Sequence, residues 1–159
     1  MATGRWLTDD EQRAWRAYIA MQQTLGRHLH RHLQREFDLS DSDFEILVNL
    51  SEAEDGRMRP VDLGAATQWE KSRLSHHLSR MEARGLVRRE PAGGRYPLVA
   101  LTDDGRAALA ACAPANAARV RELFIDVVGP DRLEVLREIA DDVVAAVEAH
   151  RRTECTLPG

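Results

Sequence analysis

The sequence predicts a mainly α-helical protein with one small β-hairpin. Apolar residues recur at helical spacing in six segments, whereas a single segment places two short extended runs on either side of paired glycines. Apolar residues make up 43% of the chain and aromatic residues only 5%, so the core must consist mainly of aliphatic side chains, which favours helices. The 159 residues are enough for one ordinary domain.

The first helix is predicted over residues 8–37. Thr8 and Glu11 have the spacing of a capping box, in which each side chain satisfies a backbone N–H that the first turn leaves unpaired. Apolar residues then follow every three or four positions as far as Phe37. The segment therefore indicates one long amphipathic helix.

Two shorter helices are predicted next. The second begins at Ser40 or Asp41 and ends where Asp55 and Gly56 favour a turn. The third follows Pro60 and has room for only about two turns before the next break. Short helices with tight connections are therefore expected in this part of the chain.

The fourth helix is predicted to be amphipathic, with its polar face outward. Leu74, Leu78 and Met81 form one apolar stripe, and Gly85 is placed to end the helix in a left-handed conformation. At about 100° per residue, polar side chains gather on the opposite face. These side chains are Ser72, Ser75, His76 and Ser79, with Arg73 and Arg80 along one flank.

A hairpin and two further helices complete the predicted fold. Extended runs at 86–90 and 98–101 enclose Gly93 and Gly94, which is the signal of a β-hairpin. Thr102 is placed to cap the next helix, and a Gly-Pro pair separates that helix from the last one. The order is thus four helices, the hairpin and two more helices.

The outer helices carry apolar stripes that the small middle of the chain cannot cover. A buried stripe needs a partner surface, and a second copy of the chain is the simplest one. The predicted organisation is a single chain, 1–159, in which 8–37 and 102–150 serve dimerisation and surround a middle region, 40–101.

Charge is unevenly distributed along the chain. Between Arg57 and Arg95, nine basic residues stand against four acidic ones, a local balance of +5 in a chain of net charge −4. This asymmetry fits a protein that presents one face to a polyanion, although a solvated charged face explains the same count.

The middle region resembles a known family. A short helix, a tight connection, an amphipathic helix with an outward polar face and a basic hairpin make a winged helix-turn-helix. The stretch LSHHLSRMEARGLVRRE running into ALTDDGRAAL is similar to the signature of the MarR family of bacterial transcription regulators. Its most specific pieces are RME followed by GLV, and LT followed by Gly105, and the resemblance extends over nearly the whole chain.

The resemblance implies a cytoplasmic regulator, in most cases a ligand-responsive repressor, that binds an inverted repeat of double-stranded DNA as a homodimer. The fourth helix would read the major groove, where an α-helix fits, and the hairpin would reach the adjacent minor groove. The residues expected to contact DNA are Lys71, Ser72, Arg73, Ser75, His76, Ser79, Arg80, Arg88, Arg89 and Arg95. Where the family usually has an aspartate near the wing tip this chain has Gly93, and His76 stands where many relatives have an arginine.

The resemblance also implies a small aromatic or lipophilic effector bound between the dimerisation helices and the winged domain. Four aromatic residues are candidates to line its pocket: Trp15, Tyr18, Phe44 and Trp69. Each of them is explained equally well as a core residue that binds no ligand.

A metal-responsive regulator is one alternative interpretation. His28, His32 and Glu36 follow one another at intervals of four residues and share one helix edge, as the ligands of a zinc ion would. The polar border of the first helix explains the same three residues, so no metal or other cofactor is expected. Another alternative is a helical dimerisation module that does not bind DNA, which would leave the basic segment unexplained.

Catalysis and membrane insertion are not expected. The sequence shows no nucleophile with an associated base, no phosphate-binding loop and no paired carboxylates. Cys112 and Cys155 lack the spacing of a zinc or disulfide motif, so reduced thiols are expected. No segment approaches the roughly 18 apolar residues of a membrane span.

Overall fold

The computed structural model of the chain describes residues 6–91 and 97–155. The chain divides into two units, with the boundary after Ala117. The hydrophobic core lies in the first unit, and so do the predicted middle region and the first long helix.

Two capping boxes start the first two helices. Helix α1 spans Asp9–Phe37, and its predicted capping box is present, since Thr8 and Glu11 each pair with the backbone N–H of the other. Helix α2 spans Asp41–Glu52 and begins with a second capping box between Ser40 and Asp43. Both helices therefore begin where the sequence predicts them.

Helices α3 and α4 form the helix-turn-helix. Helix α3 spans Pro60–Thr67 and α4 spans Lys71–Ala83, and only three residues separate them. Gln68 adopts a left-handed conformation (φ 55°), which ends α3 abruptly and permits the tight turn. Gly85 has φ +74° just after α4, as the sequence predicts.

A three-stranded antiparallel sheet follows, in the order β1-β3-β2. Strands β2 (Val87–Glu90) and β3 (Leu98–Leu101) form the predicted hairpin, with Val87 opposite Leu101 and Glu90 opposite Leu98. Strand β1 (Arg57–Met58) pairs with the other edge of β3 and was not predicted, because two residues show no periodicity. The predicted hairpin glycines, Gly93 and Gly94, lie outside the described residues.

The core of the first unit lies beneath α4. Its fully buried members are aliphatic or sulfur-containing, in keeping with the low aromatic content: Leu39, Ile46, Leu47, Leu50, Leu63, Met81, Val99 and Cys112. Leu74 and Leu78 join them from the predicted stripe of α4. Burying this stripe turns the opposite face of the helix outward.

Helix α5 spans Asp103–Val120, and the Thr102 hydroxyl caps it by accepting a hydrogen bond from Gly105 N–H at 2.9 Å. The Thr102 hydroxyl itself lies 2.6 Å from the carbonyl oxygen of Gly85, so the same side chain joins the start of α5 to the end of α4. The predicted cap is therefore confirmed.

In the second unit, a π-helical stretch (Arg121–Ile125) leads into a short helix, α6 (Asp126–Val128). Gly129, with φ +77°, separates α6 from a long helix, α7 (Pro130–Cys155). The last helix runs five residues past the predicted end at residue 150. Among the described residues, no helix has the length and apolar character needed to span a bilayer.

Candidate nucleic-acid interface

Helix α4 presents one polar face to solvent. Its buried side consists of Leu74, His77, Leu78 and Met81. All candidates predicted on this helix are exposed, namely Lys71, Ser72, Arg73, Ser75, His76, Ser79 and Arg80. The outward polar face is therefore confirmed, while the contact of these residues with DNA stays a prediction.

Arg73 is held against an aromatic ring at the beginning of this face. Its guanidinium carbon lies 4.1 Å from the centroid of the Trp69 ring, which is a cation–π contact. Trp69 itself is partly buried against the core, so the ring is a fixed support. The indole thus limits the directions in which Arg73 can extend.

A largely buried hydrogen-bond network joins α4 to α2. His77 Nε2 lies 2.9 Å from Asp43 Oδ1, and Arg80 Nη2 lies 2.7 Å from His77 Nδ1. His77 is 7% exposed and Asp43 3% exposed. Burial lowers the pKa of the His77 imidazole below its ordinary value of 6.5, although the adjacent Asp43 carboxylate opposes that shift.

The Asp43 carboxylate stays ionised despite its burial. Burial raises the pKa of this carboxyl, but hydrogen bonds from Ser40 and Arg84 outweigh the effect and bring the pKa below its ordinary value of 3.8. Arg84 Nη1 donates to Asp43 Oδ2 at 2.8 Å. The Arg84 guanidinium also donates to the carbonyl oxygen of Asp38, just after α1. Arg84 therefore connects α1, α2 and the end of α4.

The basic residues on strand β2 are paired with carboxylates. Arg88 Nε donates to Glu90 Oε1 at 2.7 Å, and Arg89 Nε lies 3.8 Å from Glu82 Oε2. Arg88 and Arg89 both remain exposed. The predicted wing-tip residue, Arg95, lies outside the described residues.

The four aromatic residues predicted to line an effector pocket lie in different surroundings. Trp15 and Tyr18 stack on each other on α1, with ring centroids 5.6 Å apart, and are 56% and 47% exposed. Phe44 packs partly buried against the core, and Trp69 lies edge-on to His77 at 5.4 Å. The structure thus pairs Trp15 with Tyr18 and places Trp69 beside α4.

The three residues of the alternative metal-site interpretation are neighbouring side chains on α1. The His28 and His32 rings meet edge-on at 4.6 Å, and His32 Nδ1 lies 2.9 Å from Glu36 Oε1. Within residues 6–91 and 97–155, no group of three or more His, Cys, Asp or Glu side chains is arranged to hold a metal ion.

Sequence reasoning missed the buried network around His77. The signal was present, because His77 lies three residues after Leu74 and four before Met81, which places it within the apolar stripe of α4. Asp43 was equally visible, because it lies three residues after Ser40 and so has the spacing of a capping box. The sequence does not show that the two side chains are in contact, because they lie 34 residues apart along the chain.

Comparisons with known proteins identify relatives of the winged region and of the whole chain. The sequence profile of the MarR family matches residues 37–95, which include α2, α3, α4 and β2. No curated protein sequence matches this chain.

Several solved structures are similar over most of the chain. AbsC, a MarR family transcriptional regulator from Streptomyces coelicolor, is 42% identical, with a TM-score of 0.87 over 92% of this chain and 99% of that chain. Sco3205, a MarR family transcriptional regulator from the same organism solved in complex with DNA, is 34% identical, with a TM-score of 0.86 over 92% of both chains. A mutant MarR from E. coli, complexed with operator DNA, shares the fold at 22% identity, with a TM-score of 0.75 over 87% of this chain and 99% of that chain.

Proposed function

The chain belongs to the MarR family of transcriptional regulators, and we propose that it is a homodimeric repressor that binds an inverted-repeat operator and releases it when a small ligand binds. The observation that carries the proposal is the exposed face of α4, on which seven candidate contact residues lie opposite a buried stripe. The regulator would act in the cytoplasm, on chromosomal DNA.

The face of α4 has the chemistry needed to read the major groove. An α-helix with its side chains is about 10 to 12 Å wide and fits that groove. Arginine forks onto guanine, while serine and histidine reach base edges or phosphates. Ser72, Ser75, His76 and Ser79 are assigned to the base edges, since they are exposed on the face opposite the buried stripe.

The lysine and arginine candidates are assigned to the phosphate backbone. They lie on α4 and on the wing: Lys71, Arg73, Arg80, Arg88, Arg89 and Arg95. Arg88 and Arg89 are paired with Glu90 and Glu82 in the free protein, and a phosphate would take the place of those carboxylates. Phosphate contacts position the protein on the duplex and make its affinity depend on salt.

Exposed apolar side chains support a homodimer. Those on α1 are Trp15, Tyr18 and Met21, and those on α7 are Val135, Ile139, Val143, Val144 and Val147. Their spacing follows helical stripes of large aliphatic and aromatic groups, which soluble proteins rarely leave in water. A second copy of the chain is the proposed cover for the α7 stripe and for the part of the α1 stripe that the proposed ligand pocket does not use.

A dimer of this kind sets the form of the operator. Two copies of α4 related by twofold symmetry read two half-sites about 34 Å apart, which is one helical turn of DNA. The operator is therefore a near-palindrome.

Ligand response is supported by the exposed Trp15–Tyr18 pair. Two stacked rings that are about half exposed offer a flat apolar surface to an aromatic or lipophilic molecule. Phe44 and Trp69 are assigned to the winged-domain side of the same pocket.

Selection of bound sites from a genomic fragment pool tests the proposal. We expect one near-palindromic sequence to be enriched, and sedimentation at micromolar concentration to give twice the chain mass. Affinity for the selected site should fall by about 10³ to 10⁵ between about 50 and 200 mM salt if six to ten phosphate contacts form. A stable dimer that shifts no DNA at low salt would instead favour a dimerisation module.

A further inference from the structure

The His77 ring lies between two charged groups that belong to different parts of the winged domain. On one side is the Asp43 carboxylate of α2, and on the other is the Arg80 guanidinium of α4. Arg80 is exposed on the outward face, whereas His77 and Asp43 are buried. A buried carboxylate is thus connected through one imidazole to an arginine on the proposed DNA-binding face.

The hydrogen-bonding capacity of these groups fixes the state of the ring. A guanidinium has only donors, so Nδ1 of His77 must accept the hydrogen bond from Arg80. The proton of the neutral ring is then on Nε2, which donates to Asp43. Asp43 can accept because Ser40 and Arg84 keep its carboxylate ionised.

We propose that His77 is a positioning residue for DNA binding, which holds the Arg80 guanidinium in the direction from which it reaches a phosphate. The inference rests on the proposed function, because it assigns Arg80 to the DNA backbone. A free arginine side chain samples many rotamers, and ordering it on binding reduces affinity. His77 removes part of that loss by holding Arg80 before DNA arrives.

The neighbours of His77 agree with a positioning role. Trp69 meets the ring edge-on at 5.4 Å and limits its rotation. Arg73, stacked on Trp69, is the other positive charge near the ring. The ring is thus held by its contact with Trp69 and, at both nitrogens, by hydrogen bonds.

A double-mutant cycle on the full-length protein tests the proposal. The probe is a random-sequence duplex of about 40 base pairs at about 50 mM salt, because a phosphate contact acts on all DNA. His77→Phe keeps a flat ring beside Trp69 and removes both hydrogen bonds. We expect it to weaken binding about three- to tenfold, the range for ordering one long side chain.

The decisive comparison is between the effects of His77→Phe in the unsubstituted protein, in the Arg80→Ala variant and in the Arg89→Ala variant. In the Arg80→Ala background, His77→Phe should cause no further loss, because the residue through which His77 acts is absent. In the Arg89→Ala background, which removes a charge that does not contact His77, the full loss should persist. An equal loss in all three backgrounds would overturn the proposal and indicate general damage to the fold.

Two further measurements keep the proposal testable if His77→Phe folds poorly. The His77→Gln side chain can accept a hydrogen bond from Arg80 and donate one to Asp43, so this variant should retain most of the affinity for DNA. A loss of DNA affinity as large as the one expected of His77→Phe would count against positioning. In the unsubstituted protein near pH 7.5, ¹⁵N NMR should show a neutral His77 with its proton on Nε2. A proton on Nδ1 would overturn the proposal, since Arg80 could not then donate there.

If the unsubstituted protein bound no duplex at all, the proposed function would fail and this inference with it.

Discussion

Gly105, in the first turn of α5, lies directly against the carbonyl oxygen of Leu86. A Cβ at this position would overlap that oxygen and would lie 2.8 Å from Cδ1 of Leu101. Backbone and a buried leucine cannot yield as the end of a flexible side chain can. The contact fixes the distance between α5 and the residue that precedes the wing.

Gly105→Ala should therefore destabilise the protein, although alanine is normally the better helix former. Overpacking of this kind costs about 1–3 kcal/mol, occasionally more, and urea unfolding monitored by circular dichroism would measure it. Gly26→Ala is the matched control, because it adds the same methyl group to α1 where no atom lies within 4 Å. That control should be neutral or gain up to about 1 kcal/mol; equal effects at both positions would show that Leu86 does not exclude a side chain.

Stability should fall as the solution becomes mildly acidic, partly through His77. Its folded-state pKa lies below the ordinary 6.5 because the ring is buried. Below about pH 6.5 the unfolded chain therefore takes up a proton that the folded protein does not, and stability is lost from that point downward by at most about 1.4 kcal/mol per pH unit. Urea unfolding between about pH 7.5 and 5.5 would measure the slope. The stability of the His77→Phe variant should fall less steeply as the pH is lowered. An unchanged slope would contradict a lowered pKa of His77 in the folded protein.

Arg84→Ala should lower the stability of the winged domain by more than a substitution that breaks an exposed ion pair. The substitution leaves the buried Asp43 carboxylate without its guanidinium partner and removes the link to the Asp38 carbonyl. A hydrogen bond to a charged group contributes about 1.5–3 kcal/mol, and partial exposure of Arg84 places the expected loss near the lower end. Thermal unfolding provides the measurement. Arg88→Ala, which breaks an exposed pair with Glu90, is the control and should cost less than about 1 kcal/mol.

Substitutions at the wing and on the helix should separate charge from sequence reading. Arg95→Ala should weaken binding to all DNA by a similar factor and reduce the salt slope by about one. His76→Ala should cost about 1–3 kcal/mol on the selected operator and less on random DNA. Affinities of both variants for both duplexes decide the assignment. If Arg95→Ala abolished specificity and His76→Ala did not, the two roles would be reversed.

Cys112 should resist modification while the protein is folded. The side chain is fully buried in the core, and burial raises the pKa of its thiol above the ordinary 9.0, which reduces the reactive thiolate. Alkylation followed by mass spectrometry of the Cys112 peptide should show slow labelling that becomes fast in denaturant. Rapid labelling of the folded protein would mean that this part of α5 opens readily.

The sequence predicted the elements that local chemistry determines. Caps at Thr8 and Thr102, the start of α2 at Ser40 or Asp41 and the stripe of α4 depend on residues within one or two turns, and all of them are present in the structure. Strand β1 escaped prediction because it consists of two residues whose pairing depends on β3, about 40 positions away.

The candidate interface was predicted only in part. Helical periodicity identifies which residues of α4 point outward, since that depends on a single helix. It does not show that Arg80 is tied to His77, that Arg73 rests on Trp69, or that Arg88 and Arg89 already hold carboxylates. These pairings depend on side-chain conformations, which helical periodicity does not give, and they decide which charges are free to move.

The strand order β1-β3-β2 also bears on how the sheets of separate molecules behave when they meet. Exposed strand edges are the usual starting points for aggregation, because their unpaired N–H and C=O groups can hydrogen-bond another chain. Here β3 is covered on both sides, and the two outer edges belong to β1, which is only two residues long, and to β2, whose exposed residues include Arg88 and Arg89. Short strands and charged side chains at the edges discourage pairing with another sheet, so the basic wing that would attract DNA also keeps neighbouring copies of the protein from joining their sheets.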